Sequence, residues 1–148
     1  MQVTIPNTLN SVRSTIESLL VDELKEAPAI PVVVYNQDFT PAGVDSYVQC
    51  LTSFGSTEYL TIGRGQQGTA GHTNRMVGLL TVNIYTSAGA GPGDNFSIGE
   101  RIRSLYNRAI VSGVYFDAPI GPEVLAAPSG SGFFHTQVRV TFEFIEEL

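Results

Sequence analysis

From Met76 to Thr86 successive residues sort onto two faces of an extended chain, one of them apolar almost throughout. Met76, Gly78, Leu80, Val82, Ile84 and Thr86 fall on one side of an extended chain. Val77, Leu79, Thr81, Asn83 and Tyr85 fall on the other, which predicts a long strand with one more deeply buried face. The run ends at Ser87 and passes into a bend built from Gly89, Gly91, Pro92 and Gly93, a composition that suits neither strand nor helix. A second alternation runs near the other end of the sequence. Phe134, Thr136, Val138, Val140, Phe142 and Phe144 face in, while His135, Gln137, Arg139, Thr141 and Glu143 face out. Strands with one wet face imply an antiparallel or mixed sheet covered on one side.

Helical spacing appears twice. Leu9, Val12, Ile16, Leu19, Leu20 and Leu24 form a stripe over residues 8 to 25, with Thr8 or Asn7 placed as cap and Pro28 and Pro31 as stops. Ile98, Ile102, Leu105, Tyr106 and Ala109 form another, in a helix that begins near Asp94 or Ser97. Ser97 with Glu100 has capping-box spacing, and Asp94 competes with it for the N-cap. Between the helices, residues 32 to 35, 47 to 53 and 58 to 62 read as strands, and a glycine-laden loop spans residues 63 to 73. Weaker strands are expected over 111 to 116 and 123 to 126. Together these elements predict one α+β domain over residues 1–148, a mostly antiparallel or mixed sheet with two helices on one face.

Composition narrows the function classes. The 148 residues carry 43% hydrophobic and 15% charged side chains, as in an ordinary globular domain. The net charge of −6 argues against nucleic-acid binding as the main task, since phosphate affinity needs a cationic footprint. Cys50 is the only cysteine, so no intramolecular disulfide forms, and its apolar neighbours make it a small core residue. No run approaches a membrane span, and neither a signal peptide nor a membrane partner is expected.

Candidate chemistry is thin. Gly63, Gly65 and Gly68 match the glycine spacing of a dinucleotide-binding loop, but a strand rather than a helix follows, and no acidic residue stands about 20 positions on. The bend at Gly89 and Gly91 does join a strand to a helix, yet Pro92 removes an amide and Asp94 repels phosphate. His72 and His135 have no partners at metal-ligand spacing. Arg101 and Arg108, seven apart, are expected on one helix face, as surface ion pairs or as a docking patch. No catalytic residue, cofactor or metal is expected.

The patterns resemble the tail terminator proteins of long-tailed bacteriophages. The likeness rests on the N-terminal amphipathic helix and on Tyr35, Asn36, Phe39 and Pro41, with tyrosine where relatives often carry tryptophan. It continues through Arg75 and Gly78 at the start of the long strand and Gly89 and Gly91 ahead of the helix with Ile98, Ile102 and Leu105. A phenylalanine-rich final strand completes it. The resemblance implies a virion protein, made in the host cytoplasm, whose copies form a homo-hexameric ring. That ring would cap the tail tube, stop its polymerisation and join the tail to a neck or head-completion protein, with genomic DNA passing unbound through the pore. Interface candidates are Gly63, Arg64, Gln66, Gln67, His72, Arg75, Gly89, Gly91, Arg101, Arg108, His135 and Arg139. Two alternatives are a neck or adaptor protein of the same virion, and a small ligand-binding protein or enzyme that uses the glycine loops.

Overall fold

Thr8 opens the first helix. In the computed structural model, which describes residues 7–41, 43–59, 73–126 and 132–147, its hydroxyl accepts from the Ser11 amide at 3.0 Å. Ser11 returns the bond to the Thr8 amide at 2.8 Å, closing a reciprocal capping box. Helix α1 (Leu9–Lys25) buries Val12, Ile16, Leu20 and Leu24. Leu9 of the expected stripe is instead 46% exposed, at the first position of the helix.

A mixed seven-stranded sheet lies under the helices. Strand β1 (Val32–Val34) runs parallel to β2 (Ser46–Tyr59), which pairs antiparallel with β3 (Thr73–Ser87). Strand β3 in turn pairs along its whole length with β7 (Phe133–Glu147). The other edge of β7 is shared end to end by β5 (Val114–Phe116) and β6 (Ile120–Leu125), and β4 (Ile110–Val111) closes a hairpin with β5. Helix α2 (Gly93–Tyr106) lies beside α1 on the same face of the sheet. The core is the layer between them, where Leu80, Val82 and Ile84 of β3 and Val138, Val140 and Phe142 of β7 meet Ile16, Leu20, Ile98 and Ile102.

Four expectations are corrected. The segments 47 to 53 and 58 to 62 are one strand: a register shift between Phe54 and Thr57 absorbs Gly55 and Ser56, which in sequence look like a turn. Residues 60 to 62 lie outside the described residues. The stretch 111 to 116 is a hairpin, turned by Ser112 and Gly113 at φ 50° and 81°. Strand β6 starts at Ile120 rather than at 123. Helix α2 begins at Gly93 behind Pro92 with no side-chain cap, so neither Asp94 nor Ser97 is the N-cap, and it stops at Tyr106. Asp94 stands in the first turn, where its charge favours the helix N-terminus.

Gly78 explains how the sheet accommodates the Phe142 ring. It pairs with Phe142 across β3 and β7, and a Cβ there would stand 2.3 Å from the Phe142 ring and 2.6 Å from the Ser53 carbonyl. The missing side chain lets Phe142 lie over β3 and meet Phe54 edge-on at 6.0 Å.

Candidate assembly surface

Among the described residues no helix covers the second face of the sheet. Register places Tyr47, Gln49, Leu51 and Ser53 of β2 beside Tyr85, Asn83, Thr81 and Leu79 of β3. His135, Gln137, Arg139 and Thr141 of β7 flank the same β3 residues. These β3 and β7 positions are half-buried rather than fully exposed, because neighbours on a flat sheet shield one another.

The chemistry of this open face is graded along the strands. At one end aromatic rings pack together: Tyr47 stacks on Tyr85 at 4.7 Å, and Tyr85 stacks on His135 at 4.4 Å. Phe39 and Phe133 meet Tyr47 at 4.9 and 5.3 Å. Burial raises the Tyr47 and Tyr85 phenols and lowers the His135 imidazole from their ordinary pKa values, which favours the neutral form of each. An amide ladder follows. Asn83 donates to Gln49 at 3.4 Å, and its carbonyl oxygen accepts from Gln137 at 3.0 Å with the His135 ring nitrogen 2.9 Å away. Beyond it, Arg139 pairs with Glu123 at 3.3 Å. At the far end Arg75 bridges Glu58 at 2.8 Å and Glu143, whose hydrogen bond is the leading cause of the raised guanidinium pKa.

The glycine bend sits at the aromatic end. Gly89 and Gly91 adopt φ of 87° and 82°, a region glycine enters without strain, and turn β3 into α2. They line an apolar groove of about 610 Å³ with Phe96, Val124, Phe133 and Phe134. Asn95 fixes this corner from beneath. Its buried amide donates to the carbonyls of Ile84 and Phe134 and to the Thr86 hydroxyl, and its oxygen accepts from Thr136. The first turn of α2 is thereby pinned to both β3 and β7.

The sequence-derived candidates divide accordingly. Arg75, His135 and Arg139 share the open face, and Gly89 and Gly91 border its aromatic end. Gly63, Arg64, Gln66, Gln67 and His72 lie outside the described residues. Arg101 and Arg108 do not share a helix face, because α2 ends at Tyr106 and Arg108 follows it at φ 54°. Arg101 turns inward to the end of α1, donating to the carbonyls of Glu23 at 2.6 Å, Glu26 at 3.2 Å and Pro28 at 2.8 Å. Sequence reasoning missed Asn95 and the aromatic row. The row had one signal: Tyr47 and Tyr85 occupy outward positions where a wet face would carry short polar residues.

Cys50 is buried among core residues, and its thiol is pushed up to about 12 by burial, so it is inert at neutral pH. Among the described residues no group of His, Cys, Asp or Glu is arranged to hold a metal ion, and no helix is long and apolar enough to cross a membrane.

A family model described as phage tail terminator protein matches residues 11–113, the span from α1 to the β4–β5 turn. A solved structure superposes with a TM-score of 0.61 over 95% of this chain and 96% of its own, at 18% sequence identity, which establishes likeness of fold. None of the curated proteins matches.

Proposed function

The chain belongs to the phage tail terminator family and is a structural component of the virion tail, and from that premise we propose that six copies close into a ring on the head-proximal end of the tail tube. The ring covers the last layer of tube subunits, halts polymerisation and presents its other side to the neck. The observation that carries this reading is the family match across residues 11–113. The open sheet face supports it as well. Its row of half-buried aromatic and amide groups, with the arginines beyond it joined to carboxylates, suits contact with protein better than contact with nucleic acid. Genomic DNA crosses the pore without specific contacts, consistent with a net charge of −6.

Electron microscopy of lysates from phage with this gene disrupted tests the proposal. Overlong tails without heads are expected. Tails of normal length beside unattached filled heads would move the protein to the neck, and intact virions would remove it from tail assembly altogether.

A further inference from the structure

The two edges of the sheet carry different apolar fringes. At the β4–β6 edge, Ile110, Ile120 and Tyr115 are 66%, 57% and 47% exposed. Register sets Ile110 opposite Tyr115, Tyr115 opposite Glu143 and Ile120 opposite Arg139, so all three belong to the open face. At the β1–β2 edge stand Tyr35, 58% exposed, and Phe39, 37% exposed and packed on Tyr47. Large apolar side chains grouped in this way are candidate contact surfaces.

The backbone points the same way. Strand β1 pairs only with Val48, Gln49 and Cys50, so among the described residues β2 beyond Cys50 is hydrogen-bonded on its β3 side alone. Its Phe54 lies in one row with Gly78, Phe142 and Phe116, which puts the bare stretch of β2 at the same height as the β4–β5 hairpin. An unpaired edge of this kind is a template for another strand. From Leu51 to Phe54 there is no lysine, proline or other charge to blunt it, and the bulge begins only after Phe54. Charge does not oppose such a contact. Exposed Arg108 and Asp117 stand together at the β4–β5 hairpin, exposed Asp38 and Asp45 flank Phe39 and β2, and none of the four joins an ion pair among the described residues, so Arg108 has acidic groups to meet on the other fringe.

We infer that the β4–β6 fringe of one copy docks on the β1–β2 fringe of the next, head to tail. Like edges meeting about a two-fold axis would leave the second fringe bare. Two different patches on opposite edges instead satisfy each other along a chain of copies, and such a contact closes into a ring when the rotation between neighbours allows. The inference rests on the ring reading above for that closure, not for the contact itself.

Crosslinking tests it. The double variant Tyr35→Cys with Ile110→Cys is treated with a short bismaleimide, both as concentrated protein and in tails purified from phage carrying it. Cys50 stays unreactive, and the engineered pair is too far apart to be joined within one chain. A ladder of trimers and larger products is expected from the double variant, with neither single variant giving any. Absence of a ladder in both samples overturns the contact, and dimers from a single variant overturn it in favour of a two-fold interface. Should the double variant not fold, Asp38→Cys with Arg108→Cys carries the same test. Failure of the ring role is read separately from tail length. A ladder together with normal tails would keep the contact and remove the capping role, whereas overlong tails with no ladder would do the reverse.

Discussion

Gly78 and His135 show how single positions set the conditions under which the sheet is stable. Gly78→Ala pushes a methyl group against the Phe142 ring and the Ser53 carbonyl, neither of which has room to retreat. The expected cost is about 1–3 kcal/mol of unfolding free energy, measurable by denaturant titration. His135 acts through pH. Burial lowers its pKa below the ordinary 6.5, so the folded chain binds its proton less readily than the unfolded chain does. Its contribution is fully present above that ordinary value and is lost as pH falls toward the folded value. His135→Phe keeps a ring against Tyr85 and removes the titration. The variant is expected to show a flatter dependence of Tm on pH below 6.5 than the parent, and an unchanged slope would count against this assignment.

Between elements, the two helices are joined by side chains that sequence patterns do not reveal. Arg101 reaches from α2 to three carbonyls at and just beyond the end of α1, and the Tyr106 hydroxyl donates to the Ile16 carbonyl at 2.7 Å. Arg101→Ala leaves the C-terminal carbonyls of α1 without these donors. A loss of about 1–2 kcal/mol is expected, with faster amide exchange in the last turn of α1. The alternating strands and the α1 stripe were legible because burial on one face imposes its period directly on the residues. The start of α2 was not legible. Asn95 is chosen by carbonyls and hydroxyls of β3 and β7, partners up to 41 positions away, rather than by neighbours in the chain. The continuity of β2 was hidden for the opposite reason, since Gly55 and Ser56 have turn chemistry but sit in a bulge held by β3. At the candidate surface, outward polarity flagged Arg75, His135 and Arg139, whereas the partners that settle Arg101 lie in another element.

For the molecule as a whole, the pairing of β3 with β7 governs when the chain becomes competent. Asn74 and Glu146 are joined across 72 positions and Asn83 and Gln137 across 54, so the centre of the sheet is built from contacts remote in sequence. Pairings of this kind must meet the entropy of loop closure before they stabilise the sheet, which slows folding. Until β7 arrives, α1 and β1 to β3 expose a half-made core whose apolar face has no partner strand. A chain cut before Phe133 is therefore expected to give no cooperative thermal transition and no native tertiary circular dichroism. The same topology orders events in the infected cell. A chain whose β7 has not yet been synthesised lacks the strand that completes the centre of the sheet, so on the ring reading proposed above translation itself delays assembly.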